Sequence, residues 1–578
     1  MKGIFLLAII FFGFGLFHVK LEAQANNANI WIFGYPPNKP EKYFGGVMLD
    51  FNQNIASPEY FNIYYDASEP AVLSSNTGRL LTYSNGCVVI NSEHQVMKGG
   101  DSISYGEIWD NHCMYGYPGT QNSLLLPWPA DSSKAILFHV KSADDISTNF
   151  LLYSIIEFNI ANPLGIVTEK NKLLLNPGTS TLITATRHAN GRDWWIIFPE
   201  YQTNRFFSIL MAPQGVSIID TQSIGSPWGD RAWASQAVFS PDGTKYIRFN
   251  PWKGLDVFDF DRCKGQLLNA MESGPFSDPV EVGGGVAVSS DSRYLYVSNN
   301  IKLFQFDLFA DDILSSKVLI DVYDGYQNPF STTFYQMMLA PDGKIYMFAT
   351  NGVKSIHVIH HPELKGTACE FVQHGMELPA NIGFGSINVP YFKLGTDDGS
   401  SCDTLGINNL PIADFRYEID SMNLLLVRFR NLSYFEPTTF YWNFGNSEVS
   451  VLKDPMPFEY TAYGAYNVCL TVSNEYGNNT FCRIVNLQDS ITSNEHALFN
   501  ELFKVVPNPF NSELSIMSEN NFSTISFELY SILGKRMLTS RLTNKMNNVN
   551  VPQLPNGLYF YNITQDGDII QTGKLIKQ

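Results

Sequence analysis

The chain has 578 residues, too many for one core, so two to four domains are expected. Its formal net charge is −17, with no basic stripe to offset it, which argues against nucleic acid as a partner. Charged residues make up only 16 % and aromatics 14 %, and few segments show helical spacing. That mix suits pleated sheets, so an all-β protein is expected.

Residues 1–25 read as a signal peptide. Lys2 supplies the positive start, Ile4 to Phe17 the apolar run, and Ala23-Gln24-Ala25 a small-x-small cleavage site. The run is short for crossing about 30 Å of hydrocarbon, so export rather than anchoring is expected. No later segment reads as membrane-spanning.

Six hairpin-like units follow: Ala71 to Ser84, Leu124 to Phe138, Ile183 to Phe198, Ala237 to Phe249, Val286 to Ser298 and Met338 to Ala349. Each joins two apolar alternating runs through a polar turn of the Asn-Gly or Asp-Gly kind. The turn positions 77, 131, 190, 242, 291 and 342 are spaced by 54, 59, 52, 49 and 51 residues. A period near 50 residues is the size of a four-stranded propeller blade. Ile30 to Phe33 with Gly46 to Phe51 matches the second half of a unit, and a lone strand, Ser386 to Phe392, follows the last one. Joined, these ends complete a blade and remove the open edges. The expectation is a seven-bladed β-propeller over residues 26–396. Six or eight blades stay open, because Leu152 to Leu175 can be counted differently.

The turns Ser240-Pro241-Asp242-Gly243, Ala340-Pro341-Asp342-Gly343 and Ser289-Ser290-Asp291-Ser292 resemble the inner hairpins of WD40-like and YVTN-type propellers. His188 to Trp195 resembles a stretch common in secreted propellers of Bacteroidetes, and is read as blade packing with the two Trp on opposite sides of a strand.

Ligands are expected at the mouth lined by loops entering the innermost strands, away from the hairpin turns. Three such loops are aromatic, and the candidate contact residues are Tyr117, Trp228, Arg231, Trp233, Tyr326 and Phe330. Gln236 and Gln336 each lie six residues before an Asp-Gly turn and suggest a repeated hydrogen-bonding role within blades. No metal, nucleotide or nucleophile-elbow motif appears. His357, His360 and His361 fall on opposite faces of a strand and do not converge. No cofactor, metal or catalytic residue is assigned.

Residues 397–410 are polar and read as a linker. Residues 411–488 resemble a PKD domain, an immunoglobulin-like sandwich, through Tyr441-Trp442-Asn443-Phe444-Gly445-Asn446 and the run Tyr460, Gly464, Tyr466, Val468, Leu470, Val472, Asn474 and Gly477. The resemblance makes Trp442 a core anchor, while Asn443 and Asn446 stand at its acidic positions and weaken a calcium reading. Cys469 and Cys482 fall on the last two strands of this module, where antiparallel neighbours can bridge. Of the seven cysteines, Cys369 with Cys402 is a weaker pair, and Cys87, Cys113 and Cys263 read as buried thiols.

A second linker spans 489–502. Residues 503–578 resemble the C-terminal sorting domain of the type IX secretion system through Val506-Pro507-Asn508-Pro509-Phe510, Phe527 to Tyr530, Leu533-Gly534-Lys535, Leu554 to Tyr559 and Gly573 to Lys577. The resemblance implies a small sandwich, the type IX machinery as partner, and release or surface attachment after outer-membrane passage. Asp-Ser/Thr-aliphatic triplets at Ser102, Thr404, Ser421 and Ser490 resemble O-glycosylation sites of the same bacteria. The expected function is a non-enzymatic surface or secreted binding protein for a glycan or protein. The alternatives are a propeller hydrolase or lyase acting on polysaccharide or peptide, and a structural component of the cell surface.

Overall fold

The computed structural model describes residues 26–36, 44–67, 69–143, 149–179, 181–228, 235–276, 283–383, 385–488, 503–507, 510–518, 525–531, 535–551, 554–565 and 568–577. The signal-peptide residues, the 489–502 linker with Ser490, Arg231, Trp233, Asn508-Pro509 and Leu533-Gly534 lie outside them. The described residues divide into two units, 1–487 and 488–578.

Seven antiparallel sheets follow one another between Ile30 and Ile382. Each of the six hairpins read from the sequence joins the first two strands of one sheet, from the second sheet to the seventh. The fifth sheet shows the pattern: Gln236–Phe239, Lys245–Asn250, Gly254–Asp261 and Gln266–Glu272, in chain order from the innermost strand outward. Its turn is held by Asp242, whose Oδ1 accepts from the Ser240 hydroxyl and the Thr244 N–H. Gly243 sits at φ +70°, and a Cβ there would come within 2.8 Å of the Leu394 side chain, so only glycine fits. The ambiguous segment around Leu152 to Leu175 forms the outer strands of the third sheet, Asn149–Asn159 and Asn162–Thr179.

Apolar side chains from facing sheets make shared cores. One core joins sheets two to four, and the next pairs join four to five, five to six and six to seven. A last core closes the ring: Trp31 and Phe33 of the first sheet meet Tyr346 and Phe348 of the seventh at 5.7 and 5.2 Å between ring centres. Trp194 and Trp195 face opposite sides as expected, Trp194 under Arg187 and Phe392, and Trp195 stacked on His188 with its N–H on the Arg262 carbonyl.

The closing segment differs from expectation. Residues 386–392 carry no ladder to Ile30–Gly34; Asn388 makes a single parallel bridge to Ala71, although Ile387 and Val389 do pack into the closing core. Pro390 has no N–H for a ladder, and the Asn388 N–H is spent on the Pro70 carbonyl at 2.9 Å.

Residues 415–487 form two sheets around one core. Phe415–Ile419, Leu426–Asn431 and Phe458–Glu459 face Val449–Ser450, Thr439–Asn443, Gly464–Asn474 and Gly477–Leu487. Trp442 is fully buried there, and its N–H donates to the Leu452 carbonyl at 3.0 Å. Cys469 pairs with Cys482, as expected. Two further disulfides overturn the buried-thiol reading: Cys87 with Cys113, and Cys263 with Cys402, leaving Cys369 as the free, buried thiol rather than the partner of Cys402. Residues 397–410 are therefore not a loose tether. Cys402 pins them to the fifth sheet, and the Asn409 side chain exchanges two hydrogen bonds with the Thr396 backbone.

The tail, described by itself, has one sheet of Lys504–Val506, Glu513–Met517 and Met546–Asn550 and another of Ile525–Ser531, Arg536–Leu542, Gly557–Gln565 and Asp568–Lys577. Phe510, Phe527, Leu529, Tyr559 and Leu575 share its core, which explains why the quoted motifs recur at those places.

Candidate ligand site on the ring axis

Of the six expected contact residues, two are closed off. Tyr117 is 5 % exposed and its hydroxyl accepts the Ser142 N–H at 2.7 Å; Trp228 is 1 % exposed with Arg248 stacked on its ring at 4.0 Å. Neither ring face is open to a ligand. The Arg248 guanidinium is itself buried against Asp256, so the Trp228 stack belongs to the packing between the fourth and fifth sheets. Tyr326 and Phe330 are exposed, at 45 % and 55 %, on one loop, with Tyr326 lying on the His374 ring at 4.4 Å. Tyr115, two residues from Tyr117 on the same loop, is also exposed.

The middle of the ring is filled by amide side chains. Gln236 Oε1 accepts from the N–H groups of Val286 and Met337 at 3.0 and 3.1 Å, and its Nε2 donates to the Met337 carbonyl at 2.7 Å. Gln336 Oε1 accepts the Ser386 N–H at 2.8 Å. Gln121 pairs with the Ala237 backbone at 2.7 and 2.9 Å and donates to Asn388 Oδ1 at 3.1 Å. Asn388 Nδ2 donates to the Ser123 and Ile183 carbonyls at 2.8 and 2.9 Å. These bonds run between sheets rather than within them, because each innermost strand is an edge strand whose axial side has no strand to pair with. The plug divides the axis into two ends.

At the hairpin end, below the plug, lies a cavity of about 150 Å³. Gln121 and Asn388 form its floor. Phe239, Pro241, Met338, Ala340 and Pro341 line it from the ring, Tyr391 and Phe392 from the closing segment, and Arg430, Leu432, Ser433 and Lys453 from the sandwich of residues 415–487. The hairpin turns thus border this cavity. Sequence reading missed it because the roof comes from another module.

Docking of that sandwich is specific. The Asn54 side chain bonds the Tyr417 backbone in both directions at 3.0 and 3.1 Å. Arg416 donates to the His360 carbonyl at 2.7 Å, Lys344 pairs with Glu418 at 2.8 Å, and Arg430 bridges Glu363 and Asp454 at 3.0 and 3.2 Å. Burial pushes the Glu418 carboxyl up, but Lys344 and Arg416 outweigh it and hold it at about 2. Burial raises the Glu363 carboxyl against the pull of Arg430, lowers His361, and keeps the Tyr391 phenol neutral by raising it. In the cavity wall, Lys393 is committed to the Pro341 carbonyl and Asp414. The lining carboxyl, Asp291, accepts from the Ser289 hydroxyl within its own turn. The chemistry on offer is mixed, with apolar walls and polar groups in about equal measure.

No curated protein matches the chain. Among solved structures, the PKD1 domain of Vibrio anguillarum Epp is 32 % identical over 14 % of this chain and 98 % of its own, with a TM-score of 0.13. A putative 6-phosphogluconolactonase from Bacteroides uniformis is 13 % identical, covering 62 % of this chain and 98 % of its own, with a TM-score of 0.39. The Dos1 propeller is 11 % identical over 66 % and 90 %, with a TM-score of 0.36. No helix among the described residues is long and apolar enough to cross a membrane. Residues 504–578 match the family described as secretion system C-terminal sorting domain, and this tail marks the chain for export by the type IX machinery and for the cell surface.

Proposed function

We propose that the protein is a secreted, surface-displayed binding protein without catalytic activity, whose ligand occupies the axial cavity beneath the sandwich of residues 415–487. The carrying observation is that the cavity is walled by innermost strands and roofed by a separately folded core held in place by ion pairs and Cys263–Cys402. A concave space that sets oriented polar groups among apolar walls is the usual form of a small-ligand site. A glycan unit or a peptide side chain suits its size. Counting each ring sheet as a blade, with residues near Asn388 standing in for the missing innermost strand, gives seven. Removal of residues 1–25 on export, a source among the Bacteroidetes and sugars on the exposed Thr404 complete the reading.

The test is thermal-shift and calorimetric screening of the mature chain against glycan and peptide libraries, alongside Ala340→Phe, which fills the cavity. A ligand that binds wild type and is lost in Ala340→Phe, with the fold retained, is the expected result. Equal binding by both sinks the cavity reading. The exposed pair Tyr326 and Phe330 supports a second reading, a platform at the other end of the axis; Tyr326→Ala then abolishes binding and Ala340→Phe does not. Turnover of polysaccharide or peptide by the purified chain overturns the non-enzymatic part.

A further inference from the structure

At the loop end of the axis, above the plug, a carboxyl is left over. Glu69 precedes the innermost strand Ala71–Ser74 of the second sheet, and its Oε2 accepts the Gln121 N–H at 3.2 Å. Its Oε1 is sealed from solvent and has no hydrogen-bond partner. Gly385, entering the closing segment, leaves the room for it, since a Cβ there would lie 2.4 Å from Oε1. Two hydroxyls in the adjoining segments share the condition. Thr120, next to Gln121 and 2 % exposed, has an unpartnered Oγ1, and so does Thr181, 8 % exposed. The segments are tied: the Thr120 carbonyl accepts the Leu182 N–H at 3.3 Å, and a Cβ on Gly119 would touch Thr181 Cγ2 at 2.7 Å.

A buried carboxylate oxygen with no donor is costly, and so is each buried hydroxyl without a partner. Three such oxygens lie in neighbouring segments at one end of the ring, whereas buried polar groups are normally satisfied. The donors are all oxygen, which suits hard cations and not the nitrogen- and sulfur-seeking metals. No Lys or Arg pairs with Glu69 among the described residues.

We propose that Glu69, Thr120 and Thr181 form a binding site for a hard cation, calcium or an alkali-metal ion, at the loop end of the axis. The ion joins the second, third and fourth sheets at the place where the amide plug ends. The site is separate from the hairpin-end cavity and does not depend on the function assigned to it.

The experiment uses the mature full-length chain, stripped with chelator and exchanged into a tetramethylammonium buffer. Calcium, sodium and potassium chlorides are titrated separately while the melting temperature is followed, and bound metal is measured by elemental mass spectrometry. The expected result is a saturable rise in melting temperature with one of these ions and one equivalent bound. Glu69→Gln should abolish the rise, and Thr120→Val should weaken the midpoint by roughly tenfold or more. The responding salt tells calcium from an alkali ion. If no salt stabilises the wild type, the three oxygens hold water only and the proposal fails. An equal response in Glu69→Gln also overturns it, because the effect is then general screening of a strongly acidic protein. Should Glu69→Gln not fold, Thr120→Val carries the same decision through its midpoint.

Discussion

The two ends of the ring axis are built on different principles. At the hairpin end, short turns repeat one design, and a second core docks on them through a disulfide, ion pairs and backbone bonds. At the loop end, the segments entering the innermost strands differ in length and composition, carry the exposed Tyr115, Tyr326 and Phe330, and leave Glu69 Oε1 unpartnered. The regular turns at one end present a repeated surface on which another module can dock. Irregular loops leave polar atoms and aromatic faces over, which is what ligand sites are made from.

The largest test of this contrast is the clamp. Cys402→Ser opens a bridge between residues 139 apart in sequence, and should cost about 2–5 kcal/mol. Urea melts should show the loss, and proteolysis should find new cuts within 397–410. An unchanged melt together with unchanged proteolysis would mean that docking holds without the clamp. Next in size is the plug that separates the two ends. Asn388→Ala removes three axial hydrogen bonds and leaves the Ser123 and Ile183 carbonyls without these donors, for about 2–4 kcal/mol. Cooperative unfolding at the wild-type temperature would show that the plug merely fills space.

Much of the hairpin end was legible beforehand, because a period near 50 residues and Asp-Gly turns encode local geometry that tertiary context does not override. Trp194 and Trp195 also fell where strand alternation put them, Trp442 where the PKD resemblance put it, and Cys469–Cys482 where antiparallel pairing allowed it. The site was much less legible. Tyr115 and Tyr117 lie two residues apart on one loop, but whether a loop side chain turns inward depends on partners such as the Ser142 N–H, 25 residues on from Tyr117. Trp228 is consumed by a buried Arg–Asp pair whose members look like ordinary alternating strand residues. The cavity was invisible because Leu432 and Ser433 reach it only after docking, and Cys263–Cys402 joins segments that nothing local relates. Gln236 and Gln336 were recognised as a repeat, yet their bonds cross between sheets.

A smaller effect should appear in acid. Glu418 is held at about 2 in the folded chain against an ordinary value of 4.5, chiefly by Lys344 and Arg416 acting against its burial. A depressed carboxyl contributes stability above its unfolded value and loses it as pH falls toward the folded one. The docking contribution should therefore be full above about pH 5 and fade between 4.5 and about 2. Because the side chain is 31 % exposed, solvent screening limits it to roughly 1–2 kcal/mol. Glu418→Gln should lower the melting temperature at neutral pH and converge with wild type near the acid limit. A constant offset across that range would remove Glu418 from the junction's pH response.

The smallest expected effect on stability is also the sharpest on function. Tyr326 and Phe330 are exposed and their loop is held by its own backbone, with the Asn328 N–H on the Phe330 carbonyl and the Lys354 N–H on the Asn328 carbonyl. Truncating either ring removes little buried area, so Tyr326→Ala and Phe330→Ala should each stay within about 0.5 kcal/mol of wild type. If the loop end is a ligand platform, the same changes should cost about 1 kcal/mol or more in binding, as exposed aromatic anchors do. Ala340→Phe acts at the other end of the plug and should leave that binding intact. Opposite responses of the two variants to one ligand assign it to one end of the axis, and equal loss in both would show that the amide plug transmits between them.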